Sequence, residues 1–222
     1  SAHRGAIASA PPVAFDFYLL SLTAEAAWCA DGNEREPQCR AVDARLAAER
    51  PLVLHGLWPE NTAPDTYPSF CAATALDLES GLRRELEYWM PGIASGLAEH
   101  EWRKHGSCTG LDDDRYFREA LRLTQRVARA FQPALRRYAG GRVAAATLRA
   151  QLAKVDAELP ESVYFVCKNL RTADPQLRGR PYLVELRVCV DNDGVGGAPQ
   201  SLLQCASVAR RDQGCGSEFW IK

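Results

Sequence analysis

Three of the four histidines fall in two short segments. His55 lies in LHGLWPEN (residues 54–61), followed by a glycine that lets backbone or ligand approach closely and by Trp58, a flat aromatic face. His100 and His105 lie in EHEWRKHGSC (residues 99–108), with Glu101 and Lys104 between them. On a helix, residues four apart share a face, so Glu101 neighbours His105 and His100 neighbours Lys104. His100 and His105 are five apart, about 140° around a helix. That is not the i, i+4 histidine pair of a zinc-binding HExxH helix, although HE opens the segment.

Such a set has a use that needs no metal. Cleaving RNA takes a base to remove the ribose 2′-OH proton and an acid to protonate the leaving 5′-oxygen, and histidine serves both roles near neutral pH. Lysine supplies positive charge where negative charge gathers on the phosphorane. A carboxylate beside a histidine raises its pKa and fixes its orientation; on that ground, replacing Glu101 is expected to weaken the acid side of a bell-shaped pH profile. Trp58 would stack a base with little regard to its identity. Taken singly, a histidine is more often a satisfied core or surface residue, a Glu–Arg–Lys mixture a solvated face, and Trp58 or Trp102 a core residue. The grouping is what points to chemistry.

Several elements must carry these groups. Residues 15–23 (FDFYLLSLT) form a short apolar run suited to a buried strand. Residues 51–59 (PLVLHGLWP) begin as a strand and are expected to end in a Gly/Pro turn, with His55 at the junction. Residues 80–90 read as an amphipathic helix stopped by Pro91, and residues 94–105 as a helix stopped by Gly106. A long helix over residues 116–138 should be kinked or split by Pro133 and ended by Gly140 and Gly141. Residues 145–155 suggest another helix, while residues 163–168 and 182–191 (YLVELRVCVD) alternate like strands. Residues 31–38 and the stretch between the last two strands are loops. No repeat or linker interrupts the chain. The reading is one α+β domain over residues 14–222, with residues 1–13, which include His3, as a flexible tail.

Composition narrows the class. The 222 residues are 46% hydrophobic and 25% charged, which excludes disorder. Lys and Arg (27) nearly cancel Asp and Glu (28), so the net charge of −1 excludes a protein that holds nucleic acid by bulk positive charge. No apolar run is long enough to cross a bilayer. Eight cysteines without a CxxC pair, beside a single Met, suggest four disulfides and an oxidising, extracytoplasmic setting, periplasmic or secreted. On the order of a hundred pairings are open to them. The chain begins at Ser1 without a signal core and is read as a mature or trimmed form.

Together, HGLWP (residues 55–59) and HEWRKHGSC (residues 100–108) resemble the two active-site segments of the RNase T2 family of secreted endoribonucleases, in the same order and with a similar separation. FDFYLLSLT resembles that family's first core strand, and YLVELRVCVD its later EVxxCxD strand. The resemblance implies a central, mainly antiparallel sheet packed by several helices. It implies His105 as general base, His55 as general acid, Glu101 and Lys104 as the pair that polarises phosphate, His100 as a phosphate-binding residue, and Trp58 as a base-packing one. It further implies cleavage of single-stranded RNA through a 2′,3′-cyclic phosphate to a 3′-phosphate, with low base specificity, no cofactor or metal, and no cleavage of DNA, which lacks the 2′-OH; separately from the resemblance, no membrane partner and a monomer are expected. The disulfides it implies are Cys29–Cys39, Cys71–Cys108, Cys167–Cys215 and Cys189–Cys205. Glu60 stands where some members carry a base-contacting Asp, and Tyr67 is a further base-pocket candidate from its loop position. The family often shows a Trp–Pro stretch where this chain has Ala24–Glu25–Ala26–Ala27, so that loop is expected to be built differently.

Two other readings compete. A catalytically silent RNA-binding or inhibitory protein on the same scaffold would lack part of the acid, base and cation set, whereas His55, His105, Glu101 and Lys104 are all present. A metal-dependent hydrolase is opposed by the histidine spacing.

Overall fold

The computed structural model describes residues 13–193 and 197–222. His3 and the expected tail, apart from Val13, lie outside the described residues. In chain order the elements are β1 (Phe17–Ala24), α1 (Glu25–Ala30), α2 (Pro37–Arg40), α3 (Ala44–Glu49), β2 (Leu52–Glu60), α4 (Ser80–Trp89) and α5 (Leu97–Lys104). They continue with α6 (Asp113–Tyr138), β3 (Arg142–Ala144), α7 (Ala145–Val155), β4 (Val163–Asn169), β5 (Pro181–Asn192), β6 (Pro199–Leu202) and β7 (Glu218–Trp220). The result is a single-domain α+β fold. Its sheet runs β2-β1-β5-β7-β3, with β4 and β6 also paired to β5. The pairing is antiparallel except between β5 and β7.

Strand β1 is the spine, because both of its faces are buried. Tyr18, Leu20 and Leu22 enter the main core with Leu52, Leu54 and Leu57 of β2 and Leu186, Val188 and Val190 of β5. Phe17 and Leu19 point the other way, into a smaller cluster with Tyr164 and the Cys189–Cys205 disulfide. Helices α4, α6 and α7 cover the main core. Asp112 caps α6 by accepting from the Arg115 amide at 2.8 Å. Tyr116, fully buried on α6, donates its hydroxyl to the Leu57 carbonyl of β2, fixing the helix against the strand that carries His55. Among the described residues no helix is long and apolar enough to cross a membrane.

Four expectations change. Strand β2 does not end in a turn after His55 but runs on to Glu60. It is an edge strand, where Pro59 can sit without costing the sheet a hydrogen bond. The expected helix over residues 94–105 is a 3-10 turn (Pro91–Ser95) followed by α5, because Gly96 adopts φ +83°, a left-handed conformation that separates the two. Pro133 does not split α6. It lies on the exposed face, as does Arg129, so the carbonyl that loses its partner can be hydrated instead. In place of a loop, Ala24 closes β1 and residues 25–27 open α1, with Glu25 buried against Arg50 at 2.9 Å.

The four disulfides are Cys29–Cys39, Cys71–Cys108, Cys167–Cys215 and Cys189–Cys205. They are the pairs the family resemblance implies.

Candidate active site

The position of His55 depends on a backbone irregularity. Along the β1–β2 ladder Ser21 faces Gly56 and Leu22 faces Leu54, so His55 is an extra residue in a β-bulge. Side chains alternate in a regular strand, and residues 54 and 57 would then take opposite faces. The bulge resets the count. Leu54 and Leu57 both reach the core, while His55, Trp58 and Glu60 remain partly exposed on the other side. Gly56 is required at the same point, since a Cβ there would collide with Glu101 Oε2.

Helix α5 supplies the second group. It buries Ala98 and Trp102 in the core and presents Glu101 to the strand. His105 follows as its C-cap, one turn beyond Glu101, and Gly106 fits against Trp102 where a Cβ would clash. The loop after β2 is tied to this end of α5. The Phe70 amide donates to the Lys104 carbonyl at 2.9 Å, the Cys71 amide to Ser107 Oγ at 3.1 Å, and Cys71 is bonded to Cys108.

These elements bring all eight sequence-selected residues to one open cleft of about 280 Å³, lined by His55, Trp58, Glu60, Tyr67, His100, Glu101, Lys104 and His105, together with Leu97. Glu101 is at its centre and only 2% exposed. Its Oε1 lies 3.4 Å from His55 Nε2, its Oε2 lies 3.7 Å from His105 Nε2, and Trp58 Nε1 donates to Oε2 at 2.9 Å. Trp58 lies between the two imidazoles, edge-on to His55 and tilted toward His105. Tyr67 faces His105 at 6.1 Å, with Lys104 Nζ 5.8 Å above its ring. His100 is exposed at the rim, beside Phe70. Glu60 is paired with Arg210 at 3.6 Å.

The two inner histidines are driven in opposite directions. Burial, with the nearby charges of Lys104, His100 and His55, lowers His105 to about 3, so its imidazole is neutral. Its Nδ1 is buried without a hydrogen-bond partner among the described residues. Burial also pulls His55 down, but a hydrogen bond to Glu185 and the charges of Glu101 and Glu185 outweigh it and raise its pKa. Burial raises Glu101 against the opposing influence of His55, Trp58 and Lys104. His100 is lowered by burial, then by Lys104 and Arg103. One cleft thus holds a neutral imidazole, a second whose pKa is raised, a carboxyl between them and a lysine. That set can remove one proton and deliver another. The charge of Glu101 helps to raise His55, whereas burial and the neighbouring cations set His105, although Glu101 Oε2 lies 3.7 Å from its Nε2.

Two neighbours were not singled out from the sequence. Glu185 accepts from His55 Nδ1 at 3.1 Å, and Arg187 grips Glu185 while its guanidinium lies 5.2 Å from the Trp58 ring centroid. The available signal was a pair of charged residues two apart in the otherwise apolar run YLVELRVCV, which places both on one face of the strand.

Comparison with known proteins agrees with this architecture. The sequence model of the Ribonuclease T2 family matches residues 15–198. A ribonuclease of Aeromonas hydrophila is 32% identical over 112 residues, covering 50% of this chain and 46% of that protein, so the chain spans about half its length. Ribonuclease I of Escherichia coli is 25% identical over 220 residues, covering 84% of this chain and 79% of that one. The crystal structure of ribonuclease MC1 from the seeds of bitter gourd superposes with a TM-score of 0.66 at 21% identity, covering 93% of this chain and 100% of that one. At that identity the likeness is one of fold, and it is the family match over most of the sequence that assigns membership: the chain belongs to the ribonuclease T2 family.

Proposed function

We propose that this chain is an endoribonuclease that cuts single-stranded RNA by transphosphorylation, independently of metal and with low base specificity. The observation that carries the reading is a pair of histidines flanking one buried carboxyl, with surroundings that push their protonation states apart. Neutral His105 takes the proton from the ribose 2′-OH, which attacks the adjacent phosphorus. Charged His55 gives its proton to the departing 5′-oxygen, leaving a 2′,3′-cyclic phosphate on one fragment and a hydroxyl on the other. Water then opens the cyclic ester to a 3′-phosphate. Lys104 and His100 meet the phosphate charge. Glu101, its buried carboxyl set between the two imidazoles, joins Lys104 in polarising the phosphate as the phosphorane forms. Trp58, Tyr67 and Glu60 line the cleft where a base would lie.

DNA is not a substrate because it lacks the nucleophile. Every group in this scheme comes from one chain, so a monomer is sufficient for the reaction. The four disulfides support a setting outside the reducing cytosol, in a periplasm or secreted.

His55→Ala and His105→Ala are each expected to lower kcat by about 10²–10⁴-fold, the usual worth of a general acid or base, with an unchanged melting profile. Cleavage at the parent rate after either change contradicts the assignment. The parent's pH profile should have its acid limb below the ordinary histidine range, set by His105, and its alkaline limb above it, set by His55.

A further inference from the structure

Beyond the cleft-lining residues, a second layer of contacts stands behind His55. Glu185 and Arg187 occupy one face of β5, opposite Thr23 and Ser21 of β1, while Leu186 and Val188 point into the core. The Glu185 carboxylate is divided between two tasks. Its Oε2 accepts from Arg187 Nε at 2.9 Å, from Arg187 Nη2 at 2.7 Å and from Ser21 Oγ at 3.2 Å. Its Oε1 is left to accept from His55 Nδ1 at 3.1 Å. Arg187 is held in turn by Tyr164, whose hydroxyl lies 3.4 Å away, and by the Trp58 face. Both arginine prongs and Ser21 converge on Oε2, which pins that oxygen and leaves Oε1 facing His55.

We propose that Glu185, clamped by Arg187, is the positioning residue of the general acid: it holds the Nδ1–H of His55 so that Nε2–H is aimed into the cleft and the ring stays an imidazolium until the leaving group departs. The inference rests on the proposed ribonuclease reading and extends it by one residue. In the step concerned, the P–O5′ bond breaks as the Nε2 proton passes to the 5′-oxygen. The Nδ1 proton stays on His55, and the resulting neutral imidazole is the tautomer Glu185 favours. The charged groups that face His55 are Glu101 from α5 and Glu185 and Arg187 from β5, with His100 and His105 farther off. Arg187 opposes the imidazolium by its charge but is neutralised by the carboxylate it holds. Glu185 is accordingly ionised: burial raises its pKa, but the His55 hydrogen bond and the Arg187 charge overcome this and bring it down to about 2.

Glu185→Gln isolates the effect. The amide oxygen goes to Arg187, a pure donor, and turns the NH2 toward His55 Nδ1, where an imidazolium N–H finds no acceptor. The test compares uridylyl-3′,5′-adenosine, whose leaving 5′-oxygen must be protonated, with uridine 3′-(4-nitrophenyl phosphate), whose leaving group departs without a proton. The expected result on the dinucleotide is a kcat lowered about a hundredfold, an unchanged KM, and an alkaline limb moved down by about one pH unit. The aryl ester should be cleaved at nearly the parent rate. Arg187→Lys, which keeps the charge but not the two-pronged hold, should give a smaller loss with the same selectivity, and it carries the test if the first variant does not fold. Equal losses on both substrates, or an unmoved alkaline limb, overturn the role of Glu185. A parent chain that cleaves neither substrate overturns the ribonuclease reading itself.

Discussion

At the scale of single residues, two identical side chains are differentiated by their surroundings. His55 is about one-third exposed and faces a carboxylate at each ring nitrogen, whereas His105 is nearly buried and faces one carboxyl at the longer distance of 3.7 Å. At His55 the partners outweigh burial, whereas at His105 burial and the neighbouring positive charges act in one direction. The spacing that brings them together leaves no spare room at Gly56. Gly56→Ala should therefore displace Glu101 or Trp58 and lower kcat at least tenfold while the melting temperature changes little, since the clash involves side-chain tips rather than the core. Parent activity in that variant would show that the packing of Glu101 over the strand is looser than described. The i, i+4 relation of Glu101 to His105 was legible from sequence because helical geometry is local. The Glu185 contact was not, because it joins residues 130 apart in sequence through strand pairing.

At the scale of elements, a bulged strand and a short helix set the geometry. In sequence, the apolar run and the glycine of β2 point to a strand that ends in a turn. A bulge and a turn both call for Gly beside a strand, and only the partner strand decides between them. The helix boundary at Gly96 was hidden for a similar reason: the apolar spacing runs through it, and the left-handed backbone interrupts it. The Cys71–Cys108 disulfide fastens the Tyr67 loop to the end of α5 and closes a loop with a sequence separation of 37. Replacing both cysteines with serine should cost about 3–4 kcal/mol by the chain-entropy relation. It should also raise KM before the fold is lost, because the loop carrying Tyr67 is released from Lys104. Thermal melting and steady-state kinetics check both parts, and an unchanged melting temperature with unchanged KM would contradict them.

At the scale of the whole molecule, the α+β class and the main strands β1, β4 and β5 were legible from apolar runs and alternation. The short strands β3, β6 and β7 were not, since three or four residues carry too little pattern to mark a strand without the neighbour they pair with. The near-zero net charge makes the cleft, and not the general surface, the place where RNA would be held. The most direct measurement is incubation of the purified, disulfide-intact chain with a single-stranded RNA oligonucleotide and a matched DNA oligonucleotide in excess EDTA, with end-group analysis of the fragments. The account predicts intact DNA and RNA fragments ending in a 2′,3′-cyclic phosphate and, later, a 3′-phosphate. RNA left whole by the folded chain across pH 4–8, or cleavage that EDTA abolishes, would contradict it.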